Sequence, residues 1–256
     1  MNTEDTRRPE AFREAQRHVA GLTARAEKRA LRFLASRTPS WITSDHLTAL
    51  GLASSAACGA LYAASGGHAW LLLVVNLALA LNWLGDSLDG TLARHRGVER
   101  PRFGFYVDHL ADAFGALFVL GGLALSGLMS PLVAAGVVTA YFLLAIETYL
   151  ATYTIGRFEI SHGPFGGTEL RILLAIANVF VFRDPAWTLG GAEWLAFDVL
   201  GAGATAVLAT LAVVAGIRGT RALVRVEGWA PAGGSGRTST TRSRASMVEG
   251  EALSRV

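Results

Sequence analysis

Lysine occurs once in this chain, at Lys28, and cysteine once, at Cys58. A single cysteine excludes an intrachain disulfide, and its place inside an apolar run makes it a packing residue rather than a reactive thiol. Charge of either sign is scarce: Asp, Glu, Lys and Arg make up 17% of the 256 residues, and long stretches between Ile42 and Ile217 carry almost none. Residues 1–40 are polar and charged, so no cleavable signal peptide is expected. The net charge of +3 is carried almost wholly by arginine. These arginines flank apolar runs and form no stripe with aromatics, which argues against nucleic acid as a partner and suits anionic lipid headgroups or phosphorylated substrates.

What is abundant is apolar: hydrophobic residues account for 52% of the chain, in runs at Ile42–Ala64, Ala69–Leu92, Phe105–Leu128, Pro131–Ile155, Leu170–Trp187 and Leu195–Ile217. Each is near the ~20 residues a helix needs to cross a bilayer. The fifth is the shortest, broken by Arg183 and Asp184. Ahead of them, Phe12, Ala15, Val19, Leu22, Ala26, Ala30 and Phe33 recur at helical spacing between Glu10 and Leu34, with arginines on the other face. That segment reads either as a helix lying at the membrane surface or as a solvated helix packed on the protein. The expected fold is all-α: a polytopic membrane protein with six transmembrane helices plus an N-terminal amphipathic helix. Residues 1–40 form the amphipathic cytosolic or interfacial segment, 41–227 the membrane domain, and 228–256, rich in Gly, Ser, Thr and Arg, a disordered tail.

Orientation follows from the connections. Arginines crowd the N-terminal segment, the 94–102 connection and the tail after Arg218, whereas the connections at 65–68, 129–130 and 188–194 carry neither arginine nor lysine. With six spans the basic segments fall on one side, which places them and both termini in the cytoplasm of a cell-membrane protein.

On that side the second run ends with Asp86-Ser87-Leu88-Asp89-Gly90-Thr91-Leu92-Ala93-Arg94, and the third opens with Gly104-Phe105-Tyr106-Val107-Asp108-His109-Leu110-Ala111-Asp112. Asp86 and Asp89 are three apart and Asp108 and Asp112 four apart, so each pair shares a helix face. A short basic connection lets the two helices run antiparallel with the pairs facing. Four ionised carboxylates near hydrocarbon are costly unless neutralised. Hard oxygen donors suit Mg²⁺ or Mn²⁺, and two such ions would clamp a diphosphate during in-line displacement. Gly90 and Gly104 allow close approach of substrate, Ala93 keeps the face open, and Arg94 offers a fork for phosphate oxygens.

This stretch resembles the signature of the CDP-alcohol phosphatidyltransferase family, written D-x2-D-G-x2-A-R-x8-G-x3-D-x3-D. Every fixed residue type is present, and the spacer between Arg94 and Gly104 is nine residues instead of eight. The extra residue falls in the inter-helix connection, and leaves open which of Arg96, Arg100 and Arg102 points inward. The resemblance implies Asp86, Asp89 and Asp108 as metal ligands, and Asp112 as a fourth and as the base that takes the acceptor proton. It implies Gly90, Ala93, Arg94 and Gly104 as lining the CDP site, two divalent cations as cofactors, and a homodimer. The expected reaction moves a substituted phosphate, with CDP-diacylglycerol the favoured donor, onto a hydroxyl acceptor and releases CMP. Two alternatives stand beside it: a CDP-choline- or CDP-ethanolamine-type phosphotransferase acting on diacylglycerol, and a divalent-cation transporter, whose carboxylates would sit near the bilayer midplane.

Weaker signals surround the core motif. Thr43-Ser44-Asp45-His46-Leu47-Thr48 resembles the family's T-P-N-x-[IL]-T element, and reads first as a helix N-cap from Thr43 or Ser44. His109 reads as packing. Glu147, inside the fourth apolar run, fits an acceptor pocket or a structural hydrogen bond equally. Arg102, Arg157, His162, Glu169 and Arg171 are candidate acceptor or phosphate contacts on the same side. Arg157, His162 and Arg171 suit a phosphorylated polyol, whereas Glu147, Glu159 and Glu169 suit an amine-bearing acceptor.

Overall fold

The computed structural model describes residues 24–155 and 167–228. Helices α1 (Ala24–Arg37), α2 (Ser44–Ser65), α3 (Leu71–Arg96), α4 (Pro101–Ser126), α5 (Pro131–Ile155) and α6 (Gly167–Arg183) are followed by strands β1 (Ala186–Leu189) and β2 (Ala192–Leu195), then α7 (Ala196–Glu227). Helix accounts for 84% of the structure, so the protein is all-α apart from the hairpin.

Among the described residues, five helices, α2, α3, α4, α5 and α7, are long and apolar enough to cross a membrane, which marks an integral membrane protein. The sequence led us to expect six. The difference lies in α6, whose 17 described residues end at Arg183. Asp184 and Pro185 follow, and proline lacks the N–H that another helical turn would use. The amphipathic segment expected from Glu10 is described only from Ala24, as α1. Residues 1–23, the 156–166 connection and the tail beyond 228 lie outside the described residues.

The hairpin was read from sequence as a plain connection. Ala186 pairs with Leu195 and Trp187 with Trp194. The turn is Gly190-Gly191, with φ of +62° and +82°. Consecutive positive φ values are what a tight two-residue hairpin turn demands, and glycine adopts them without a Cβ penalty.

Helix α2 lies at the centre, against α3 and α4, while α3 also meets α1 and α6, and α4 meets α5. Little hydrophobic force separates helix from lipid inside a bilayer, so contact depends on backbones approaching closely at small residues. A Cβ placed on Gly85 of α3 would lie 2.5 Å from the Gly51 nitrogen and 2.6 Å from the Leu47 carbonyl oxygen of α2. On the other flank of α2, a Cβ on Gly59 would run into the Phe118 carbonyl of α4.

The main core gathers Cys58, Tyr62, Leu72, Val75, Leu123, Met129 and Phe197, towards the C-terminal half of α2. Through it runs a satisfied polar chain: Tyr62 donates to Asn178 Oδ1 (2.8 Å), Asn178 Nδ2 to Asn76 Oδ1 (2.8 Å), and Asn76 Nδ2 to the Ala175 carbonyl (3.2 Å). These bonds link α2, α6 and α3 and satisfy the polar groups of Tyr62 and Asn178, both buried. A second cluster, Leu31, Ala35, Leu47, Leu88 and Leu92, seats α1 on the opposite end of α2 and α3.

The described residues up to Gly219 form one compact unit, and those from Thr220 on belong to a second. In the second, the described residues continue the helix to Glu227 and stop at Gly228, whose φ is +78°.

Candidate active site

The site lies at the bundle end opposite the main core, where α3 finishes and α4 begins. Helix α3 stops at Gly97, which takes a left-handed φ of +66° and donates its N–H back to the Ala93 and Arg94 carbonyls. Pro101 then opens α4, pre-set for the first helical turn and needing no N–H partner there. This tight reversal brings the two aspartate pairs together: Asp112 feels the charges of Asp86, Asp108 and Asp89, and Asp89 those of Asp108 and Asp86. Asp86, Asp89 and Asp108 are half-buried, and Asp112 is exposed.

Each carboxylate of the first pair is held by a different helix. Thr48 of α2 donates its hydroxyl to Asp89 Oδ2 at 2.6 Å, and the Gly90 N–H donates to Asp89 Oδ1. Ser44 donates to the Asp89 carbonyl at 3.1 Å. The first turn of α2 therefore braces Asp89. The expected cap is present as well, since the Thr43 side chain accepts from the His46 N–H, and the His46 ring returns the bond to the Thr43 N–H. Asp86 pairs with Arg171 of α6, Nη2 to Oδ2, at 2.7 Å. The same guanidinium donates through Nε to Asn82 Oδ1 at 2.7 Å. Asn82 in turn donates to the Gly51 carbonyl (2.9 Å) and to Ser55 Oγ (2.8 Å), tying the pair back to α2.

The arginines of the α3–α4 connection divide their work. Arg96 reaches the carbonyls of Thr38, Pro39 and Ile42, securing the α1–α2 turn. Arg100 pairs with Asp45 at the start of α2 and stacks over the Phe103 ring. Arg102 is exposed on the first turn of α4. Arg94 lies over Gly90, where a Cβ would come 3.4 Å from its Nη1, and Arg94 Nη2 donates to Thr91 Oγ1 at 3.4 Å. Gly104 faces open space, with nothing within 4 Å of where a Cβ would stand, and Ala93 is half-buried.

The remaining candidates separate by place. Glu169 is buried in the first turn of α6. Glu147 points towards α7, its Oε1 3.3 Å from where a Cβ on Gly219 would be. Arg157, Glu159 and His162 lie outside the described residues. His109 packs against the Phe105 ring at 4.2 Å and the Tyr149 ring at 5.1 Å. Helix α5 contributes residues the sequence did not single out: Tyr141 and Tyr149 lie within electrostatic reach of Asp112 and Asp108. Asn82, Thr48 and Glu27 were missed too. Thr48 matches the final threonine of the T-P-N-x-[IL]-T element that opens α2, which was a usable signal; Asn82 and Glu27 carry none.

The donors present are carboxylate oxygens, the chemistry that hard divalent cations take. Among the described residues, no three His, Cys, Asp or Glu side chains are drawn together tightly enough to form a metal shell. Asp86 and Asp89 are engaged with Arg171, Thr48 and Gly90. A carboxylate offers about four lone-pair sites, so these contacts leave donor capacity on both Asp86 and Asp89, oxygen donors of the type a hard divalent cation takes.

The protein is thus an integral membrane helical bundle with two aspartate pairs and Arg94 gathered where α3 ends and α4 begins. The chain belongs to the CDP-alcohol phosphatidyltransferase family, whose model it matches over residues 41–218. Members transfer a phosphate-linked group from a CDP-alcohol to an alcohol acceptor and use divalent cations. Comparison with curated proteins gives no significant match.

Proposed function

We propose that this protein transfers a phosphatidyl group from CDP-diacylglycerol to the hydroxyl of a small alcohol, releasing CMP in phospholipid biosynthesis. The observation that carries this reading is the convergence of Asp86, Asp89, Asp108 and Asp112 at one bundle end. Asp86, Asp89, Asp108 and Asp112 would hold two divalent cations, Mg²⁺ or Mn²⁺. Bound there, the cations supply charge neutralisation for the diphosphate and the departing CMP.

The chain's own groups do the rest. The open face at Gly90, Ala93 and Gly104 receives the CDP moiety, and Arg94 offers its guanidinium to phosphate oxygens. Asp112 takes the proton from the acceptor hydroxyl as the new oxygen–phosphorus bond forms and the bond to CMP breaks. Arg171 and Asn82 hold Asp86, and Thr48 holds Asp89, so neither carboxylate must reorganise during reaction. The acceptor enters between this end and the α5 tyrosines, beside Asp112. Arg102, Arg157, His162 and Glu169 remain candidates for its recognition.

In this reading α6 crosses as a short sixth span, the site and both termini face the cytoplasm, residues 41–227 are the membrane domain, and the enzyme is a homodimer. Purified protein in detergent, given labelled CDP-diacylglycerol, a panel of alcohol acceptors and Mg²⁺ or Mn²⁺, should release CMP with at least one acceptor. Silence with every donor and acceptor pair would remove the proposal.

A further inference from the structure

A single oxygen outside the family match gathers three hydrogen bonds. Glu27 Oε1 on α1 accepts from Trp83 Nε1 at 2.9 Å and Ser87 Oγ at 3.3 Å, both on α3, and from Thr168 Oγ1 at 2.8 Å, on α6. Ser87 is the neighbour of Asp86, and Thr168 stands one helical position set, three residues, ahead of Arg171. Arg171 closes the circuit on Asp86 at 2.7 Å. Glu27, the α3 turn carrying Asp86 and the α6 turn carrying Arg171 therefore form one ring of contacts across three helices. Helix α1 is seated for this by Leu31 and Ala35, buried against Leu88 and Leu92.

We infer that Glu27 is a positioning residue for the Asp86–Arg171 pair, which makes α1 part of the site although it precedes the matched residues 41–218. The inference rests on the phosphatidyl-transfer reading for its catalytic consequence, but not for the coupling itself. The partners of Glu27 are Trp83, Ser87 and Thr168 and include none of the four site aspartates; it fixes the spacing between α3 and α6. Both helices must hold their register for the Arg171 fork to reach Asn82 and Asp86 together. Displacements of about 1 Å in a reacting constellation cost up to about a hundredfold in rate. The donors on Glu27 are one indole N–H and two hydroxyls, all neutral, so they require an acceptor oxygen rather than a charge.

The test uses the full chain in detergent micelles with ¹⁵N-labelled arginine, the Arg171 Nε–H resonance being identified by its loss in Arg171→Lys. In Glu27→Ala that resonance should shift and exchange faster with water, and in Glu27→Gln, which keeps an acceptor oxygen, it should return close to its original position. CMP release measured on the same samples should fall about tenfold in kcat for Glu27→Ala, with KM for both substrates within twofold of wild type, and recover in Glu27→Gln. Should Glu27→Ala fail to fold, Thr168→Val removes only the α6 arm of the ring and should move the Arg171 resonance in the same direction. An Arg171 resonance unchanged in the folded variants, or Gln as harmful as Ala, overturns the inference. Absence of CMP release from the wild-type protein would overturn the functional reading instead, and the resonance would still decide the coupling.

Discussion

Arg171 of α6 meets Asp86 of α3 at 2.7 Å, and its Nε holds Asn82 one turn earlier on the same helix. A planar guanidinium is the one side chain that serves a carboxylate and an amide oxygen from fixed, divergent donors. The pair is only partly shielded, with side chains 20% and 28% exposed, so its worth lies in placing Asp86 more than in raw stability.

Arg171→Lys retains the charge and forfeits the fork. We expect kcat/KM for CMP release to drop at least about tenfold, the equivalent of about 1.4 kcal/mol of lost transition-state stabilisation. Arg171→Ala should lose more, because Asp86 is then left half-buried beside three other carboxylates. Wild-type kinetics in the lysine variant would show that the fork geometry is immaterial.

Thr48→Val keeps the shape of the side chain and deletes the donor that holds Asp89 Oδ2. Partners that orient metal-ligating groups typically govern about ten- to a hundredfold in metal affinity or activity. The expected result is a higher Mg²⁺ or Mn²⁺ concentration for half-maximal CMP release, by about tenfold, with an unchanged melting temperature. A titration that overlays the wild-type curve would dissociate Thr48 from the site.

Close approach of α2 and α3 at Gly51 and Gly85 sets the distance over which Thr48 reaches Asp89. Gly85→Ala would bring a Cβ to 2.5 Å from backbone nitrogen, so the helices must part. Melting temperature and turnover should both fall. Gly121→Ala on α4, where nothing lies within 4 Å, should leave both near wild type. Equal melting behaviour of the two variants in a thermal-shift measurement would contradict the packing.

The aspartate pairs were legible because helical spacing of three and four is a local property, and the signature around Gly90, Ala93, Arg94 and Gly104 is dense. The N-cap at Thr43 was legible for the same reason. What escaped was long-range: Glu27, Asn82 and Thr48 act through residues 27 to 141 positions distant, and of the three only Thr48, in the element that opens α2, carried a local sign. Arg171 was noticed as a cation facing the site, though its partners turn out to be Asp86 and Asn82. The hairpin had a readable sign in Gly190-Gly191 between Trp187 and Trp194, outweighed in reading by the apolar runs on either side. The end of α6 at Arg183 was foreshadowed by Arg183-Asp184-Pro185, yet the apolar length before it favoured a full span.

The central claim is that four converging aspartates transfer a phosphatidyl group, with Asp112 taking the acceptor proton. It is tested most directly by CMP release from CDP-diacylglycerol, comparing wild type with Asp112→Asn, before and after chelation of divalent cations. We predict that chelation abolishes CMP release and that Mg²⁺ or Mn²⁺ restores it. Asp112→Asn should stay silent under every condition while still binding nucleotide. Undiminished CMP release by Asp112→Asn, or release that persists in chelator, would contradict the account.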